Sequence, residues 1–87
     1  MNREEADRLL QAELDAIEQL GYTRLAARIG KVVTSEKPGA AGVKYQLELQ
    51  IFWDNRPGAE IRLLGSIDDG GIRALMPLTD SRIVPAS

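Results

Sequence analysis

The sequence predicts a small α+β domain, in which an N-terminal amphipathic helix packs on an antiparallel β-meander of three to four strands. Apolar residues recur at spacings of three and four over the first twenty positions, which is typical of one face of a helix. Strict alternation of apolar and polar residues follows from Val43 to Trp53, and again from Ile61, which is typical of half-buried strands. The 87 residues have the length of one domain, which we assign to residues 1–87.

The first helix is expected to begin after Asn2. Asn2 and Glu5 have the spacing of a capping box, in which each side chain accepts a bond from the other's backbone N–H. Gly21 suits the position just past the end of a helix. The predicted apolar stripe contains Ala6, Leu10, Leu14, Ile17 and either Leu20 or Gly21.

Residues 23–30 allow two interpretations. Thr23 could cap a short second helix that closes at Gly30, and the alanine-rich composition favours this interpretation. The alternation of Leu25, Ala27 and Ile29 also fits a strand. Beyond this segment, Lys31 to Glu36 is predicted as a short strand and Lys37 to Gly42 as a loop.

The run Asp68-Asp-Gly-Gly71 predicts a tight hairpin into a strand over 72–78. Residues from Thr79 onward form a tail in this prediction, with 81–87 flexible. The first helix should cross the sheet at a shallow spot formed by Gly65 and Ala74. The predicted pairs are Ile67 with Ile72, Gly65 with Ala74, Leu63 with Met76, Leu64 with Leu75, Trp53 with Ile61, Phe52 with Arg62, and Leu49 with Gly65.

Composition narrows the classes of function. The chain has no cysteine and no histidine, which argues against thiolate or histidine metal sites and against most hydrolytic mechanisms. The net charge of −2 argues against binding nucleic acid mainly through phosphates. No stretch has the length of a membrane span or the apolar core of a signal peptide, so we expect a cytoplasmic protein without membrane partners. No cofactor or metal is expected.

The outer face of the predicted sheet is the candidate site. A single helix covers one face of the sheet only, so apolar side chains on the other face meet solvent, the tail or a partner. The expected role is a non-enzymatic protein-interaction module, either a homodimer through this face or a module for an unidentified protein. The candidate interface residues are Phe52, Leu64, Leu75, Arg62 and Arg73.

Two other classes of function stay open. Arg62 and Arg73 could bind a small anion or a nucleic acid, with Phe52 stacking on a base. Asp68, Asp69 and Asp80 could serve as acid–base groups of an enzyme, although the two adjacent aspartates also suit a tight turn in which they cap their own backbone.

Three segments of the chain together form a family pattern. They are Tyr45-Gln-Leu-Glu-Leu-Gln-Ile-Phe-Trp-Asp54, Gly65-Ser-Ile-Asp-Asp-Gly-Gly71 and Pro77-Leu-Thr-Asp80. This pattern resembles a group of small uncharacterised bacterial proteins whose likeness extends from the first helix almost to the C-terminus. The resemblance implies a self-contained domain and brings no reaction, ligand or partner with it.

Overall fold

The computed structural model describes residues 1–70 and 77–86. Two helices precede a sheet of four strands in the order β1-β2-β3-β4, and each strand is antiparallel to its neighbour. This is the α+β arrangement that the sequence predicts. The elements are α1 (Arg3–Glu18), α2 (Tyr22–Ala26), β1 (Val32–Pro38), a 3-10 turn (Ala40–Gly42), β2 (Lys44–Trp53), β3 (Ile61–Asp68) and β4 (Leu78–Val84).

α1 covers one face of the sheet, which we call the inner face. Ala6, Leu10 and Leu14 of α1 are fully buried, together with Leu25 of α2. They meet side chains that alternate along β2 and β3, as the period-two pattern predicts. The buried strand residues are Tyr45, Leu47, Leu49, Ile51, Ile61, Leu63, Ile67 and Val84.

The crossing point of α1 lies at Gly65. A Cβ atom added to Gly65 would lie 2.7 Å from Leu10 Cδ1 and 3.5 Å from Leu14 Cδ2. Gly65 also pairs with Leu49, and Trp53 pairs with Ile61, as predicted. The helix therefore approaches the sheet where a side chain is missing, which confirms that part of the prediction. Ala74, the other residue of the predicted shallow spot, lies outside the described residues.

Glu5 has a different role from the predicted one. Asn2 Oδ1 does accept the Glu5 N–H, at 3.0 Å, so the first half of the capping box is confirmed. The Glu5 carboxylate, however, accepts the Tyr45 hydroxyl and the Ala40 N–H, both at 2.9 Å. It therefore joins the first turn of α1 to the β1–β2 connection, where it stabilises tertiary structure instead of completing its own cap.

The last strand differs most from the prediction. β3 pairs with residues 78–84, so Ile67 faces Leu78, Gly65 faces Asp80, Leu63 faces Arg82 and Leu64 faces Ser81. The predicted pairing of β3 with a strand over 72–78 is wrong, and the tail expected from Thr79 is a strand as far as Val84. The predicted positions Ile72, Arg73, Ala74, Leu75 and Met76 lie outside the described residues.

Polar contacts explain how β4 packs under α1. Arg82 Nη1 lies 2.8 Å from Asp15 Oδ1 and 2.8 Å from Glu18 Oε1, and Arg82 Nη2 donates to Gln11 Oε1. Gln11 in turn donates to Asp80 Oδ2 at 2.6 Å. The carboxylates of α1 raise the pKa of Arg82, whereas hydrogen bonds from Gln11 and from the Ser81 N–H lower the pKa of Asp80.

Two boundaries shift slightly. α2 is shorter than predicted and is preceded by Gly21, with no side-chain cap from Thr23. This outcome decides for the helix over a strand, although α2 ends at Ala26, well before Gly30. β1 begins one residue later than predicted and continues two residues further, to Pro38.

Candidate functional site

The outer face of the sheet is the face opposite α1. Alternation places Val32, Thr34 and Glu36 of β1 on this face, each across the ladder from a polar residue of β2. The same registers make one row of Val32, Gln50, Leu64 and Ser81, and an adjacent row of Phe52, Arg62 and Ile83. These two rows lie near the end of the sheet where β1 begins.

Four apolar side chains of these rows form what we call the apolar patch. Val32 is 57% exposed and Ile83 is 40% exposed, while Phe52 and Leu64 are half-buried. The patch reaches all four strands, with one residue on each. Phe52 and Leu64 were candidate residues from the sequence, and the structure brings them onto neighbouring strands. Leu75 lies outside the described residues.

A cavity borders the patch at the start of β1. Its volume is about 240 Å³. Val32 and Phe52 belong to both the cavity wall and the apolar patch, so one occupant could contact both. The cavity is lined by Gly30, Lys31, Val32, Gln50, Ile51 and Phe52.

Arg62 is the described member of the predicted anion site. Its Nε lies 2.7 Å from Asp54 Oδ1, and its Nη1 donates to Ser81 Oγ at 2.8 Å. The guanidinium is therefore already neutralised by a carboxylate and oriented by a hydroxyl, which leaves less of it for an anion. Arg73, the second member, lies outside the described residues.

The three candidate catalytic aspartates make separate contacts. Asp68 Oδ1 accepts the Gly70 N–H at 2.8 Å, which is the turn role considered from the sequence. Asp69 Oδ2 lies 3.4 Å from the N-terminal ammonium group. Asp80 points to the inner side, where it accepts bonds from Gln11 and from the Ser81 N–H. The pKa of Asp80 is lowered, the opposite of what a general acid needs.

Sequence reasoning missed two members of the patch, Val32 and Ile83. The sequence predicts a strand at Val32 but not which face the side chain is on, and it assigns Ile83 to the tail. Only the pairing of β4 with β3 brings Ile83 beside Arg62, at the same end of the sheet as Val32. Their alternation with polar neighbours was the available signal, but it extends over too few residues to identify a face.

Comparisons with known proteins give no information about the function of this site. No family model matches the chain, and searches of curated proteins and of solved structures also gave no match. The resemblance to small bacterial proteins therefore stays a prediction. Among residues 1–70 and 77–86, no helix is long and apolar enough to cross a membrane. The same residues contain no group of three or more acidic side chains placed to hold a metal ion.

Proposed function

We propose that this domain is a non-enzymatic protein-interaction module that associates with a second copy of itself through the outer sheet face. The observation that carries the proposal is the apolar patch of Val32, Phe52, Leu64 and Ile83 on the face opposite α1. Packing two such faces as layers of a sandwich would remove these side chains from water.

Charges around the patch are compatible with this role. Arg62 is paired with Asp54, so it would enter an interface without an uncompensated charge. Glu48 lies one row away and already accepts a bond from Gln50 at 3.1 Å. Among the seven residues of the two rows that contain the patch, the paired Arg62 between Phe52 and Ile83 is the only charged one. Depletion of charge at the centre is typical of interfaces between proteins.

The experiment is light scattering on a size-exclusion column over a series of protein concentrations. Leu64→Asp places a charge at the centre of the patch and should lower the mass of the assembly. Thr23→Asp adds the same charge at an exposed position in the first turn of α2, where it suits the helix dipole, and should leave the mass unchanged. Circular dichroism checks that each variant keeps its helices.

A second variant protects the test against a folding defect. Ile83→Asp changes an edge residue that is 40% exposed, so it disturbs the core less than a change at the half-buried Leu64. If both acidic variants keep the wild-type mass at every concentration, the outer face is not a self-association surface and the proposal is wrong.

Anion or nucleic-acid binding through Arg62 and Arg73 is the runner-up function. It predicts that ionic strength controls a ligand-induced shift of the Arg62 amide in NMR spectra. The bond from Arg62 to Asp54 makes this function less favoured, because the anion would have to compete with a carboxylate already in place.

A further inference from the structure

The backbone of β1 has a row of hydrogen-bonding groups that point away from the sheet. Gly39 donates to Val43 O, and Ile51 donates to Lys31 O, so these residues form hydrogen-bonded pairs between β1 and β2. Such pairs alternate along an antiparallel ladder. The N–H and C=O groups of Val32, Thr34 and Glu36 therefore point outward, and no partner for them is found within residues 1–70 and 77–86.

The opposite edge of the sheet is protected at its centre. The bond from Asp54 N–H to Glu60 O sets the alternation in β3, and thereby turns the backbone groups of Thr79, Ser81 and Ile83 outward from β4. The central one of these donors, the Ser81 N–H, is capped by Asp80 Oδ1 at 2.8 Å. Natural sheets commonly protect edges by such devices, because an open edge recruits further strands.

β1 has few such devices over Val32 to Glu36. Val32, Val33 and Thr34 are all β-branched and exposed, and Val33 is 37% exposed on the inner side beyond the cover of α1. β-branched residues favour strands in which they pack against cross-strand neighbours. We propose that β1 pairs antiparallel with β1 of a second copy, so that two four-stranded sheets join into one of eight strands.

One register satisfies all the outward groups. With Thr34 opposite Thr34 of the partner, Val32 faces the partner's Glu36 and Val33 faces the partner's Ser35. This register uses every outward N–H and C=O of the three residues, and makes six backbone hydrogen bonds across a two-fold axis. Pro38, which has no N–H to donate, falls just beyond the last pair and beside the partner's cavity at Gly30.

Symmetry favours the second copy over an unrelated strand. The outward groups of β1 are centred on Thr34, so an identical edge related by a two-fold axis has the same three residues in reverse order and satisfies all of them. In this register Lys31 lies opposite the partner's Lys37, and Glu13 of the partner subunit offsets this like charge because Glu13 Oε2 lies 3.0 Å from Lys37 Nζ.

The edge contact is argued from its own observations, whereas an assembly of four chains also rests on the proposed function. Four strands at about 4.8 Å and seven residues at about 3.4 Å give an outer face of roughly 450 Å². An interface of standard size takes about 800 Å² from each partner. Joining two sheets edge to edge doubles the outer face, which then reaches the standard size. The edge axis is perpendicular to the sheet and the outer-face axis is parallel to it, so where the two axes intersect the contacts close an assembly of four chains.

Thr34→Pro tests the edge contact, because it removes an outward N–H and no bond to β2. Thr79→Pro is the matched control, since Thr79 is also an outer-face threonine with an outward N–H, but on the edge formed by β4. Light scattering at rising concentration should give four chains for the wild type and for Thr79→Pro, and no more than two chains for Thr34→Pro. Val33→Lys is a second variant that guards against a folding defect caused by the proline. It keeps every N–H, adds an inner-side charge at the edge, and should also lower the mass of the assembly.

The outcomes separate the two proposals. If Thr34→Pro and Val33→Lys both reach the wild-type mass, the edge contact is wrong whatever Leu64→Asp does. If they lower the mass while Leu64→Asp does not, the edge contact holds and the outer-face contact fails. A wild-type protein that stays a single chain at every concentration overturns both.

Discussion

Gly65→Ala tests the packing of α1 on the sheet. The added methyl group would lie 2.7 Å from Leu10 Cδ1 and 3.4 Å from Leu49 Cδ2, and both leucines are fully buried. Real Cβ atoms essentially never come as close as the first distance, so the helix or the Leu10 side chain must move. Inserting a methyl group into a packed core costs about 1–3 kcal/mol. We therefore expect a lower free energy of unfolding.

The expected change in the free energy of unfolding is the difference between two opposing effects. Replacing glycine by alanine also restricts the unfolded chain, which stabilises the folded state by about 0.4–1 kcal/mol. The net loss should be about 1–2 kcal/mol. For a domain of this size, each kcal/mol lowers Tm by about 4–8 °C. Thermal and urea unfolding followed by circular dichroism, at concentrations where the protein is a single chain, would measure both quantities.

Two further variants make this test specific. Ser66→Ala changes the next residue of β3, on the outer face, and should alter the free energy of unfolding by less than about 0.5 kcal/mol. Leu10→Ala alone should cost about 2–5 kcal/mol, but its combination with Gly65→Ala should cost less than the sum, because the new methyl group partly fills the space. If Gly65→Ala is as stable as the wild type, the close crossing of α1 at this residue is wrong.

Two smaller predictions concern polar contacts. The Ala40 N–H and the Tyr45 hydroxyl lower the pKa of Glu5, so its contribution to stability is present above the unfolded-state pKa and is lost as pH falls through the folded-state pKa. Glu5→Gln should flatten the acid limb of a plot of unfolding free energy against pH; an unchanged slope would contradict this. Tyr22→Phe removes the 2.8 Å bond to Ala59 O and should cost about 1 kcal/mol in urea unfolding, whereas no loss would mean that water replaces the bond.

The elements that bury one continuous face could be predicted from the sequence. α1, β2 and β3 each have an unbroken apolar face, so periodicity identified them and also set the register between β2 and β3. The predicted glycine contact with α1 followed from that register. Burial by a nearby element is what makes such a pattern reliable.

β4 could not be predicted in the same way. Two of its inner-face residues, Asp80 and Arg82, are polar because they lie beneath Gln11, Asp15 and Glu18 of α1 and not over the apolar core. The alternating apolar pattern of β4 is therefore broken. The neighbouring stretch 72–78 has an apolar residue at every second position, so the sequence pattern favours that stretch instead.

Only the part of the candidate site that lies on β2 and β3 could be predicted from the sequence. Phe52 and Leu64 lie on β2 and β3, whose register was predicted, so their place on the outer face followed. Ile83 depended on the unpredicted pairing of β4, and the open edge of β1 depended on knowing which strand is outermost. Neighbour relations between strands involve contacts distant in sequence, which local patterns do not contain.

The most direct test of the outer face as an interaction surface is the solution mass of the wild type beside Leu64→Asp, measured by light scattering from micromolar to millimolar protein. The account predicts that the wild-type mass rises to that of several chains and that Leu64→Asp stops at a smaller assembly while its circular dichroism is unchanged. Equal masses for the two proteins at every concentration would contradict it.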